Sequence, residues 1–68
     1  VIALASNDGL LGNAESFGRM LARKNVYFVP LRQDDAKGKP RSLVCDFSLV
    51  SDTVRQSMEG RQPQPVFF

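Results

Sequence analysis

Two apolar runs, Val1 to Ala5 and Val26 to Leu31, flank a polar turn, Ser6-Asn7-Asp8-Gly9, and an amphipathic segment of helical period. This order of strand, turn, helix and strand constrains the chain more than any other feature. Two strands joined through a helix pair in parallel, because such a crossover returns the chain to the end of the sheet from which it started. Pairs of this kind build open α/β sheets, which bind ligands where strands give way to loops. Ser6, Asn7 and Asp8 lie at such an end.

On a helical wheel, residues 14–24 place Ala14, Phe17, Gly18, Met20 and Leu21 on one face and Glu15, Ser16, Arg19 and Arg23 on the other. That is the pattern of a helix covering a sheet, with Asn13 as its N-cap and Asn25 closing it in the left-handed conformation that asparagine tolerates. Val26-Tyr27-Phe28-Val29 is apolar on both faces, as in an internal parallel strand, and Pro30 borders it because proline cannot donate to a ladder. Residues 32–42 carry Asp34, Asp35, Lys37, Gly38, Lys39 and Pro40 and almost nothing apolar, which predicts an exposed loop. The chain returns to the core at Leu43 and Val44. A second helix is predicted from Asp46 or Phe47 to Glu59, with Phe47, Val50, Val54 and Met58 at helical spacing, Asp52 and Arg55 paired outside, and Gly60 as its stop. The Gln62 to Phe68 tail is extended, because Pro63 and Pro65 exclude helix.

Length sets a further limit. A domain of 68 residues buries only about 60% of its unfolded surface, and this chain has no disulfide framework to compensate. It opens on a strand at Val1 without an initiator Met, so it is expected to be a piece of a longer polypeptide and to need the rest of its sheet. Hydrophobic residues make up 43% and charged residues 24%, a globular balance, and no apolar run approaches a membrane span. The single Cys45 cannot form an internal disulfide and there is no His, which removes His-based triads and zinc sites from this stretch. A reduced, cytoplasmic setting is the expectation that fits best.

Asn7-Asp8, the first helix, Lys24 to Pro30, Gln33-Asp34, Lys39-Pro40, Ser42-Leu43-Val44, Asp52-Thr53-Val54 and the Gly60 to Pro65 tail occur in an order and spacing that carry a family resemblance. Over essentially all 68 residues the chain resembles the C-terminal part of the dipicolinate synthase B subunits, flavoproteins of the flavin-dependent cysteine decarboxylase type. The resemblance implies the C-terminal βαβα portion of a flavodoxin-like or Rossmann-like three-layer α/β domain with a parallel sheet, residues 1–68 being one fragment of a single flavoprotein domain. It also implies FMN as cofactor, the dipicolinate synthase A subunit as partner, a homo-oligomer, and a small dicarboxylate substrate. The implied reaction forms dipicolinic acid from a dihydro- or hydroxytetrahydrodipicolinate precursor in the sporulating mother cell, with this stretch inactive by itself. The loops that cradle the FMN phosphate belong to the family's N-terminal part, outside this chain. Where the superfamily has Pro-Ala-Met-Asn, this chain has Leu4-Ala5-Ser6-Asn7, and Arg32 stands where a small residue is expected. Ala5 and Asn7 agree, which keeps a pocket role for Asn7 and puts decarboxylase chemistry in question. Another FMN-dependent protein of the decarboxylase type is the nearest alternative.

Ser6, Asn7 and Asp8 are accordingly the candidate cofactor-binding or substrate-binding residues. A carboxamide offers donor and acceptor together, and could hold a substrate carboxylate or a flavin carbonyl. The competing role is structural, since the same side chains stabilise turns. Ser6 has no base beside it and is a turn hydroxyl before it is a nucleophile. Lys37, Lys39 and Arg41 could clamp an anion or simply be solvated. A nucleic-acid module is the remaining alternative, from the basic-aromatic run Lys24 to Val29. Adjacent Tyr27 and Phe28 point to opposite faces of a strand, however, and cannot form one stacking platform.

Overall fold

The computed structural model describes all 68 residues. Three short strands, β1 (Ala5–Ser6), β2 (Leu31–Arg32) and β3 (Leu43–Cys45), lie in the order β1-β3-β2, with helix α1 (Ala14–Leu21) between β1 and β2. A 3-10 turn at Phe47–Leu49 leads into helix α2 (Val50–Ser57).

The expected parallel pair is present. Ile2 bridges Phe28 in parallel, the Ile2 N–H donating to Tyr27 O at 2.8 Å and the Val29 N–H to Ile2 O at 3.0 Å. Three residues further on, the two strands have splayed apart, and β3 fills the gap antiparallel to both. Ala5 now faces Val44, and Leu31 faces Cys45. The Cys45 N–H reaches back to Leu4 O at 2.8 Å and the Asp46 N–H to Pro30 O at 2.9 Å, so the wedge satisfies backbone groups on both inner edges. Sequence marks Leu43 and Val44 only as a return to the core; that they form a strand depends on the gap between two other strands, which no local pattern encodes.

Phe28, Val29, Leu31 and Cys45 form the buried core, with Phe17, Met20 and Leu21 of α1 and Leu49 and Val50 packed against it. The Phe17 ring meets Phe28 edge to face at 4.8 Å. Helix α1 ends at Leu21, three residues before the predicted end, and the chain then turns through Asn25 at φ 64°, the left-handed conformation expected there. Gly60, at φ 74°, stops the second helical segment in the same way.

The inner face of α2 differs from the one the spacing suggests. Phe47, Val54 and Met58 are 60%, 42% and 85% exposed, whereas Thr53 is fully buried. Thr53 can occupy that position because its hydroxyl donates to Leu49 O at 2.8 Å, leaving only its methyl group to pack. The 47-50-54-58 stripe and the 49-50-53 face share Val50, and hydropathy alone favours the stripe richer in large side chains. Asp46 caps the segment, accepting from the Ser48 N–H at 3.0 Å and the Ser48 hydroxyl at 2.5 Å, and these bonds hold its carboxyl below the usual range.

The tail joins the sheet. Leu31 N–H donates to Val66 O at 2.7 Å and the Phe68 N–H donates to Leu31 O at 2.9 Å, a parallel bridge that brings the Phe67 ring to 5.8 Å from Phe17. The apolar end of the tail, Val66, Phe67 and Phe68, is thus partly used within the chain, although Phe67 and Phe68 stay about half exposed. Between α2 and this strand, the Gln62 carboxamide takes the place of a missing peptide unit. Its Oε1 accepts the Phe28 N–H at 2.8 Å and its Nε2 donates to Phe28 O at 2.6 Å. Gln62→Ala strands both buried backbone groups and should cost about 1–3 kcal/mol in urea unfolding of the full-length protein. Gln62→Glu, which keeps the acceptor and loses the donor, should be destabilised too. A wild-type midpoint for both variants would contradict the role given to Gln62.

Candidate functional site

The topology fixes which chain segments can meet. β1 and the strand ending in β2 run in the same direction, so both deliver their following residues, Asn7 and Gln33-Asp34, to one edge of the sheet. β3 runs the other way, so its preceding residues, Arg41-Ser42, arrive at that same edge. The result is a cleft of about 390 Å³ lined by Asn7, Lys39, Pro40, Arg41 and Ser42, with a smaller one of about 150 Å³ beside it that adds Ser6 and Asp34. Ligands of open α/β sheets sit on this side, outside the carboxyl ends of the parallel strands.

The two walls are built differently. On the first, Ser6 Oγ is the hub of the turn after β1, accepting from the Asp8 N–H at 3.1 Å and from Asn13 Nδ2 at 3.0 Å. Asn13 stands at the N-cap position as predicted, but its side chain serves this hub and makes no capping bond. Asp8 O accepts from the N–H groups of Leu11 and Asn13 at 3.1 and 2.9 Å, and Gly9 is buried where an added Cβ would lie 3.0 Å from Leu43. Within this tightly tied turn Asn7 is exposed and faces the cleft. Of the three residues singled out in the sequence, then, Asn7 lines both clefts, Ser6 lines the smaller one while holding the turn, and Asp8 lies in the turn behind them.

The second wall is the loop between β2 and β3, whose side chains are exposed apart from the buried Ser42 and whose backbone is knitted together. Gly38 N–H donates to Asp35 Oδ1 at 3.0 Å, Lys39 N–H to Asp35 O at 2.7 Å, Ser42 N–H to Lys39 O at 3.1 Å and Gln33 Nε2 to Pro40 O at 3.1 Å. The Leu10 N–H, donating to Arg41 O at 2.9 Å, stitches this wall to the first. Lys39 has only a loose pairing with Asp34 at 3.9 Å, both half exposed and worth little. Arg41 pairs with no carboxylate. Lys37, grouped with them by sequence, lies outside the cleft. The basic run in the sequence signals cations without their position; their meeting with Asn7 depends on β3.

Cys45 and the Tyr27-Phe28 pair lie away from this cleft. Cys45 is buried in β3, and loss of hydration pushes its thiol up, opposite to what a reactive thiolate requires. Phe28 is enclosed in the core against Phe17, so the aromatic pair has no exposed platform on which a nucleic-acid base could stack. No helix is long and apolar enough to cross a membrane.

The fold and cleft define part of an α/β domain, with an open cleft at the carboxyl ends of its parallel strands. No family model matches the chain. It is 33% identical over 66 residues to the dipicolinate synthase B subunit of Bacillus subtilis (strain 168), an alignment covering 97% of the chain and 33% of that protein. The crystal structure of the dipicolinate synthase B subunit from Bacillus halodurans C matches it with a TM-score of 0.94 and 36% identity, over 97% of this chain and 34% of that one. The chain therefore spans about one third of the length of the relatives it matches. The resemblance to dipicolinate synthase B subunits holds in sequence and in fold along nearly the whole chain, and the architecture is that of about one third of the solved subunit.

The division of labour within the turn is measurable. Ser6→Ala removes the acceptor for two hydrogen bonds and should lower stability by about 1 kcal/mol, while Asn7→Ala, which removes no internal bond, should stay within about 0.5 kcal/mol. Thermal or urea unfolding of the two variants in the full-length protein checks this, and equal losses would contradict it.

Proposed function

We propose that this chain is the C-terminal part of a single flavoprotein domain that acts as the B subunit of a dipicolinate synthase, with the synthase's A subunit as its partner. The observation that carries the proposal is the agreement along 97% of the chain with two such B subunits, one by sequence and one by fold. The full protein is an oxidoreductase component that assembles as a homo-oligomer, binds FMN, and takes part in forming dipicolinic acid from a dihydro- or hydroxytetrahydrodipicolinate precursor in the cytoplasm of the sporulating mother cell. This stretch by itself is inactive.

The residues present fit the flavin's ring edge and not its phosphate. A phosphate cradle needs several convergent free backbone N–H groups; those of Gly38, Lys39 and Ser42 beside the cleft are taken and Pro40 has none, which leaves only those of Asn7 and Arg41, on opposite walls. Asn7, exposed on a rigid turn, offers a carboxamide whose donor and acceptor suit a flavin carbonyl or a substrate carboxylate. FMN, when bound, supplies the electron transfer. The chain's own share is orientation: Ser6 holds the turn, Asp8 anchors it through backbone bonds, and Asn7 presents its amide at the sheet edge.

The full-length protein should purify with, or take up, a chromophore that has the absorbance of oxidised flavin, and should form dipicolinate when the A subunit is present. Asn7→Ala should lower kcat/KM by about one to two orders of magnitude, the loss of one or two hydrogen bonds to a charged or polar partner. A colourless protein that takes up no FMN, or an Asn7→Ala variant with full turnover, would overturn the proposal.

A further inference from the structure

We propose that Lys39 and Arg41 form a carboxylate clamp that faces Asn7 across the cleft and selects a small planar dicarboxylate over the corresponding monocarboxylate. This deepens the function proposed above and rests on it. Three observations carry it. The cations and the carboxamide stand on walls contributed by segments more than thirty residues apart, which only the β3 wedge brings together. A ligand that uses both walls needs a polar group at each end, as a flat ring with two carboxylates has. The space between them, about 390 Å³, lies at the small end of ligand pockets.

The electrostatics agree with the geometry. Arg41 has no carboxylate partner, so its planar fork of donors is free for a bidentate bond to a carboxylate. Lys39 is tied to Asp34 only at 3.9 Å, and an anion in the cleft can take over that loose contact at little cost. The loop carrying both is held in advance by the Asp35, Gln33 and Leu10 hydrogen bonds, so binding does not have to order it. With the Gly38, Lys39 and Ser42 N–H groups engaged, only those of Asn7 and Arg41 are open, which favours a carboxylate held by side chains over a phosphate held by main chain.

Calorimetric titration of the full-length protein with pyridine-2,6-dicarboxylate, pyridine-2-carboxylate, FMN and inorganic phosphate tests the clamp. Wild type should bind the dicarboxylate more tightly than the monocarboxylate. Arg41→Ala and Lys39→Ala should each weaken the dicarboxylate by about tenfold or more, narrowing that preference while FMN affinity stays unchanged. Arg41→Lys, which keeps the charge and loses the fork, should recover only part of the loss, and Lys37→Ala, in the same loop but outside the cleft, should match wild type. Circular dichroism of each variant should match wild type; loss of structure in Arg41→Ala and Lys39→Ala shifts the decision to Arg41→Lys, and wild-type dicarboxylate affinity in that variant overturns the bidentate clamp. Failure of wild type to bind the dicarboxylate, dicarboxylate affinity indifferent to Arg41, or a loss confined to FMN or phosphate would each overturn the clamp. A protein that binds FMN and ignores the Arg41 change leaves the flavoprotein reading standing without the clamp. One that binds no FMN yet loses the dicarboxylate on Arg41→Ala keeps the clamp and removes the flavoprotein.

Discussion

The parallel contact between Ile2 and Phe28, and its opening three residues later, is the constraint on which the rest of this structure depends. Parallel strands twist relative to each other as they run, and here the pair is joined by hydrogen bonds at residues 2, 27 and 29 but parted by residues 5 and 31. Inner-edge groups exposed by the parting need partners. β3 supplies them, and because it runs antiparallel to both neighbours it must be reached by a loop at their carboxyl ends. The basic loop is therefore placed beside Asn7 by the same hydrogen bonds that close the sheet.

The opposite edge of the Phe28 to Arg32 strand is completed by the tail in two ways. Val66 to Phe68 pairs with Leu31 through main chain, and Gln62 pairs with Phe28 through a side chain that offers the donor and acceptor of a peptide unit. Phe28 and Leu31 both direct backbone groups to the tail although they lie three positions apart, with two residues between them, which is the signature of a slip in strand phase. Pro30, which has no N–H to leave unpaired, sits within that slip. Neighbours on both edges cover the backbone of this strand, and side chains packed on its faces, Phe17, Met20 and Leu21 of α1 with Leu49 and Val50, enclose Phe28, Val29 and Leu31.

Much of this is local and therefore legible in sequence. The apolar runs, the amphipathic period of α1, the left-handed Asn25 and Gly60 and the Asp46-capped second helix depend on neighbours within a few residues, and each appears near its expected place. What depends on distant partners is not legible. Leu43 to Cys45 becomes a strand only because a gap exists elsewhere, and Gln62 becomes a surrogate strand only because Phe28 is bare on that side. Thr53 is buried in place of Val54 because one hydroxyl can bond within its own helix, a substitution that hydropathy alone does not reveal. At the cleft, Asn7 stands out from its position after a strand, whereas the meeting of Lys39 and Arg41 with it required the fold.

Two segments distant in the chain, Ser6 to Leu11 and Lys39 to Leu43, form opposite walls of one cleft, and amide hydrogen exchange reports on both at once. In the full-length protein, saturating pyridine-2,6-dicarboxylate should slow exchange in both segments together, including the Leu10 N–H that bonds Arg41 O across the walls, while Arg23 to Tyr27 at the other end of the sheet is unaffected. Protection of only one wall, or of neither, would contradict a shared cleft.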